Sequence, residues 1–235
     1  MQDLFSTLDK KICDLQTRKA IILGSVGSGK TSLGKYVAGD YEGSNESRLS
    51  GKSVTIGVKT YRGKYLGSNE SSNTQTQYTM IDSEGYGADG FSSDNLRNQL
   101  VNALKFETEL NCVIICVSFE RFRNGLKEDL THLLGVIKTL GLGEESLLMV
   151  FTHCEVYKPE KREEFVKEFK EYFKFDFGKN YVFCCFANMN EVNDNYKPIV
   201  IKDVLDSITV VRQKIFERKN VINVAMKICE MESPK

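Results

Sequence analysis

The chain has 235 residues, 41% hydrophobic and 27% charged, which suits one globular domain with a full core and leaves little room for disorder. Lys+Arg and Asp+Glu each number 32, so no net field draws the protein to nucleic acid or anionic lipid, and no nucleic-acid partner is expected. The seven cysteines, Cys13, Cys112, Cys116, Cys154, Cys184, Cys185 and Cys229, form no C-x-x-C pair and suggest a reduced, cytoplasmic setting.

Residues 1–18, with Leu4, Phe5, Leu8, Ile12 and Leu15 on one stripe, predict an amphipathic helix ahead of the first strand. The start lacks a basic segment followed by an apolar one, and nowhere do eighteen apolar residues run together. Neither secretion nor a transmembrane segment is therefore expected. Ala20-Ile21-Ile22-Leu23 reads as a buried strand, Gly24 to Thr31 as a glycine-rich loop, and Ser32 to Ala38 as a helix. Gly39 to Lys52 is polar and rich in glycine and serine, as a loop is. Residues 53–66 and 74–82 carry β-branched and aromatic residues around a polar segment and predict a hairpin.

Beyond the hairpin, a helix is expected near 92–108, then a central parallel strand over the apolar run Cys112 to Phe119. A second helix over 126–140 stops at Gly141 and Gly143, and Leu147 to Thr152 form another buried strand. Pro159 to Phe173 reads as a charged helix with Phe165, Phe169, Tyr172 and Phe173 on its core face. Residues 181–186 form the last strand, and 199–230 read as helical. The alternation predicts an α/β fold: a mostly parallel six-stranded sheet with one antiparallel edge strand, helices on both faces and extra C-terminal helices. Residues 1–18, 19–219 and 220–235 divide as N-terminal helix, main domain and C-terminal helical extension. Such sheets bind ligands beyond the carboxyl ends of their strands, so each loop that follows a strand is a candidate.

The first of these loops has the pattern G-x-x-x-x-G-K-T, from Gly24 to Thr31. Glycines let the backbone approach a polyphosphate, and the following helix turns its N–H groups toward the anion. Ser25, Val26, Gly27, Ser28, Gly29, Lys30, Thr31 and Ser32 would then surround the phosphates, with Lys30 on the β- and γ-phosphates and the Thr31 hydroxyl on Mg²⁺. Asp82 closes its strand and can hold Mg²⁺ through water, while the Gly85 N–H can meet the γ-phosphate in a D-x-x-G arrangement. In Thr152-His153-Cys154-Glu155, the Glu155 carboxylate can accept hydrogen bonds from guanine N1–H and the 2-amino group. His153 either stacks on the base or is a solvated loop histidine. Asn188, in Cys185-Phe186-Ala187-Asn188, either bonds the purine edge or caps a turn.

From about Lys19 to about Lys219 the chain resembles the immunity-associated (AIG1-type) GTPases, a septin-like branch of the P-loop GTPases. Besides the phosphate loop, the resemblance rests on Leu49-Ser50-Gly51-Lys52-Ser53-Val54-Thr55, on Val113 to Leu130 with Arg121-Phe122 and Glu128-Asp129, and on the two base-side motifs. It implies a P-loop GTPase fold, GTP and GDP as ligands with Mg²⁺, and Thr55 as the threonine that senses Mg²⁺ and the γ-phosphate. A homodimer across the nucleotide face is also implied, in which Arg121 or Arg123 acts as a finger in trans; the alternative is that both are exposed loop arginines. The chain departs from the family in Asp82-Ser83-Glu84-Gly85, where Asp-Thr-Pro-Gly is usual, and in His-x-Glu for Arg/Lys-x-Glu/Asp.

Tyr86 stands where small GTPases carry the glutamine that orients the attacking water, so the expected intrinsic hydrolysis is slow. Three functional classes follow: a GTP-binding switch that hydrolyses slowly, a pseudo-GTPase scaffold that binds without turnover, and a P-loop ATPase or kinase. The first is preferred, because Glu155 and Asn188 argue against adenine. The ending has no lipidation signal, and the Arg218-Lys219 pair is expected to pack on the domain, although peripheral membrane contact stays open.

Overall fold

Strand propensity and burial place the apolar run at residues 20–23 in the middle of the sheet, and every other element is laid down around it. The structure, a computed structural model, describes residues 16–39, 58–66, 75–83, 85, 109–119, 130–131, 133–135, 137, 144–154, 157–184 and 197–223. In chain order the elements are β1 (Gln16–Gly24), α1 (Lys30–Ala38), β2 (Lys59–Leu66), β3 (Gln75–Asp82), β4 (Glu109–Leu110) and β5 (Cys112–Ser118). A short 3-10 turn (Glu144–Ser146), β6 (Leu147–Thr152), α2 (Pro159–Phe173), β7 (Tyr181–Cys184), α3 (Lys197–Phe216) and β8 (Ile222–Asn223) follow. Leu130, Leu133, Leu134 and Ile137 belong to a further helical segment.

The main sheet runs β2-β3-β1-β5-β6-β7. All its neighbours are parallel except β2 and β3, which pair antiparallel from Lys59 opposite Asp82 to Leu66 opposite Gln75. This is the mostly parallel six-stranded sheet with an antiparallel edge that the sequence predicts. Every residue of β5 and β6 is buried, as continuous apolar strands are when both faces of a sheet are covered.

Side chains alternate between two cores. On one face Ile21, Leu23, Val113, Ile115, Met149 and Phe151 meet Leu130, Leu133 and Ile137 of the helical segment and Val166 and Phe169 of α2. On the other, Ala20, Ile22, Ile114, Cys116, Leu148 and Val150 meet Leu33 and Val37 of α1 and Val204, Ile208 and Val211 of α3.

α1 lies against the sheet edge with little intervening side chain. A Cβ on Gly63 of β2 would fall 1.5 Å from the Ala38 carbonyl oxygen, so the backbones of helix and strand touch there. At the C-terminus of α1, Gly39 turns left-handed with φ 89° and returns its N–H to the Lys35 and Tyr36 carbonyls. The buried Arg212 of α3 adds hydrogen bonds from Nε to the Val37 carbonyl (3.0 Å) and from a terminal nitrogen to the Tyr36 carbonyl (2.7 Å). A cation at a helix C-terminus also complements the helix dipole.

Three expectations need correction. Residues 16–18 open β1 rather than ending a helix; the remainder of the expected N-terminal helix lies outside the described residues. The C-terminal run is not helical through 230: α3 ends at Phe216, and Ile222–Asn223 are extended, paired antiparallel with Glu109–Leu110. Arg218 turns inward, donating to the Leu147 carbonyl at 2.6 Å and to the Lys214 carbonyl, so it packs on the domain, whereas Lys219 is exposed. Finally, Tyr172 is 55% exposed, whereas Phe169 is buried with Phe165 and Phe173 packed beside it. The helix expected near 92–108 lies outside the described residues, as do residues 185 and 186 of the last strand. Among the described residues no helix is long and apolar enough to cross a membrane.

Candidate functional site

The chain leaves β1 toward β3 on one side and, after β3, continues to β5 on the other, so the carboxyl end of β1 lies where the sheet changes direction. The Gly24–Thr31 loop occupies that end. Gly24 opens it because no larger residue fits: a Cβ there would lie 2.3 Å from the Cys116 carbonyl oxygen and 2.6 Å from Ser28 Oγ. Gly27 and Gly29 take positive φ of 72° and 84°, the left-handed region glycine enters without strain. Gly29 is the N-cap of α1 and, having no side chain, supplies no cap to the first-turn N–H groups.

The polar side chains of the loop are tied to the strands beneath. Lys30 is buried, and its Nζ donates to the Ser25 carbonyl across the loop at 2.8 Å. Thr31 Oγ1 donates to Asp82 Oδ2 at 2.7 Å, joining the loop to the end of β3. Ser83 then donates from its hydroxyl to the Ile22 carbonyl at 2.8 Å, which fixes the chain next to Asp82. Gly85 comes back onto the loop: a Cβ on it would lie 2.7 Å from both the nitrogen and the Cα of Val26. Lys30, Thr31, Asp82 and Gly85, which are 55 residues apart at the extremes, are thus brought to one place.

Beneath the loop the Ser28 carbonyl accepts two hydrogen bonds at 2.8 Å, from Cys116 Sγ of β5 and from Thr152 Oγ1 of β6. Thr152 therefore bonds to the Gly24–Thr31 loop itself, whereas the sequence reading set it only in the expected base-reading motif. Burial pushes the Cys116 thiol up to about 12, despite the opposing pull of the nearby Lys30 charge, so the sulfur keeps its proton. Among the described residues neither Ser25 Oγ nor Ser28 Oγ, both buried, has a hydrogen-bond partner, which is uncommon in a native interior. Cys116 was missed in the sequence, where it reads as one more small hydrophobe in an apolar strand.

The loop after β6 is held from both flanks. The Phe119 N–H donates to the Thr152 carbonyl at 2.8 Å, and Cys154 Sγ, buried, lies 3.6 Å from the carbonyl of Cys184 at the end of β7. His153 takes φ 55°, a left-handed backbone that histidine enters more readily than most residues, and it is partly exposed. Phe119 stacks between Tyr157 and Phe165, with ring centroids 4.3 Å away in each case. Glu155, Asn188, Thr55, Arg121 and Arg123 lie outside the described residues.

The loop fits a polyphosphate in three respects: the close backbone cradle at Gly24, the start of α1 with no side-chain cap from its N-cap glycine, and a buried ammonium that donates to a loop carbonyl an anion can displace. Thr31 and Asp82 present two oxygens 2.7 Å apart, a donor set that suits a hard cation which keeps several waters. Among the described residues no group of three or more His, Cys, Asp or Glu is placed to hold a metal. Searches of protein-family models and of curated proteins return no match to this chain.

Proposed function

We propose that this chain binds a guanine nucleotide with Mg²⁺ in the Gly24–Thr31 loop and hydrolyses GTP slowly, using the change from GTP to GDP as a conformational switch. The observation that carries the reading is the convergence of Lys30, Thr31 and Asp82, from two strand ends, on one uncapped helix start. Mg²⁺, when bound, neutralises charge on the β- and γ-phosphate oxygens. Lys30 moves its Nζ from the Ser25 carbonyl to phosphate oxygen, and the first-turn N–H groups of α1 bind the remainder. Gly85, in backbone contact with Val26, is where the far side of the site registers whether a third phosphate is present.

Glu155 and Asn188 select guanine in this reading, His153 covers the base, Thr55 completes the metal site, and Tyr86 in the place of a water-orienting glutamine keeps turnover slow. A homodimer across the nucleotide face can supply the missing charge through Arg121 or Arg123. A flat line of specific activity against protein concentration would count against that dimer. The site itself is tested by titrating fluorescent GTP, GDP and ATP into wild type and Lys30→Ala. GTP and GDP are expected to bind wild type and to be weakened at least tenfold, about 1.4 kcal/mol, by the substitution. Equal binding of ATP overturns the guanine assignment, and no binding of any nucleotide overturns the function. Phosphate release followed over hours separates turnover from binding alone.

A further inference from the structure

We propose that Cys116 is a positioning residue of the phosphate loop: with Thr152 it holds the Ser28 carbonyl inward, so that the N–H of Gly29 faces the bound phosphate. The proposal rests on the nucleotide reading above, and it deepens it. Two donors from two different strands, Cys116 Sγ and Thr152 Oγ1, converge on this one oxygen at 2.8 Å each. A carbonyl has two lone pairs, so its accepting capacity is filled and its direction fixed.

The described chain contains no cis peptide bond, and in a planar trans peptide the carbonyl and the following N–H point in opposite directions. Fixing the Ser28 carbonyl downward onto β5 and β6 therefore fixes the Gly29 N–H upward, into the loop. Gly29, at φ 84°, has no side chain to hold its own conformation, so the orientation must come from below. The thiol reaches the carbonyl because Cys116 lies opposite Gly24 in the β1–β5 register, and Gly24 has no Cβ to intervene. Cys116 is fully buried, and its proton, retained by that burial, is available to the bond across the physiological range.

The test compares Cys116→Ser, which keeps a donor, with Cys116→Ala, which removes it, in the full chain. Two measurements are made: the ¹³C shift of the Ser28 carbonyl in the nucleotide-free protein, and the affinity for fluorescent GDP. The expected result is a shift that moves in Cys116→Ala and stays near wild type in Cys116→Ser, with GDP affinity reduced about tenfold in the first and within about threefold in the second. Melting temperatures read in parallel separate a loss of fold from a loss of orientation. An unmoved Ser28 shift in Cys116→Ala overturns the proposal, and equal losses in both variants reduce Cys116 to packing. If wild type binds no nucleotide, the functional reading falls, and the carbonyl shift alone still decides whether Cys116 holds the loop.

Discussion

Replacing Gly24 by alanine tests the loop's foundation. The added Cβ would fall 2.3 Å from the Cys116 carbonyl oxygen, where ordinary contact begins at 3.4 Å, and 2.6 Å from Ser28 Oγ. The serine hydroxyl can rotate away. The Cys116 oxygen cannot, because it belongs to the backbone of β5 opposite Gly24 in the β1–β5 pairing, and moving it by roughly 1 Å opens the centre of the sheet. Overpacking of this kind costs about 1–3 kcal/mol, which in a chain of this size lowers the melting temperature by roughly 2–12 °C. The same displacement pulls at Ser28, so under the proposed function nucleotide affinity should fall with it. Thermal unfolding followed by circular dichroism, with urea unfolding alongside, measures the first effect. A Gly24→Ala protein melting within about 1 °C of wild type, with an unchanged urea slope, would show that the sheet accommodates the methyl and that the close approach is not what selects glycine here.

Three further outcomes follow from the same geometry. Gly135→Ala should stabilise the protein by about 0.4–1 kcal/mol in urea unfolding, because Gly135 is helical and exposed and a Cβ on it meets nothing within 4 Å. Phe151→Ala should destabilise by about 3–5 kcal/mol, since its buried ring packs among Phe165, Phe169, Phe177 and Phe183 with centroid distances of 5.5 to 6.1 Å; a loss below 1 kcal/mol would mean that the aromatic cluster re-collapses. Lys170 and the Gly178 N–H hold the Asp176 carboxyl below its ordinary 3.8. A depressed carboxylate stabilises fully above its unfolded value, so the difference between wild type and Asp176→Asn should be constant at neutral pH and vanish as pH falls below 3.8 through the folded value. An Asp176 titration midpoint at or above 3.8 by NMR would refute the assignment.

Elements that carry their own signals were legible in the sequence. Pro159 at the first helical position and the phenylalanine spacing mark α2 to both of its ends, Pro159–Phe173. The position of its buried stripe was less legible. At about 100° per residue, Val166, Phe169 and Phe173 lie within roughly 60° of one another and Tyr172 falls about 90° from their mean direction, so an aromatic spacing alone includes the tyrosine and omits the buried valine. β8 is two residues long and owes its extended form to β4, 113 residues earlier, so local periodicity could not separate it from the helix before it. The Gly24–Thr31 loop was marked by its own glycines, and Asp82 by its place at a strand end. The contacts of Cys116 and Thr152 with Ser28 depend on which strands lie beside β1, information that exists only once the sheet is assembled.

That last dependence has a consequence for synthesis. The glycine loop emerges early from the ribosome, yet the carbonyl that sets its shape waits for Thr152, which lies 124 residues later. At translation rates of about 5–20 residues per second, roughly 6–25 s separate the two. β3 and β5, the neighbours of β1, are both made within that interval, whereas Arg18 of β1 finds the Phe216 carbonyl only after 198 residues have been added. A nascent chain stalled before β6 therefore carries the whole loop sequence but lacks one of the two donors that give the loop its form.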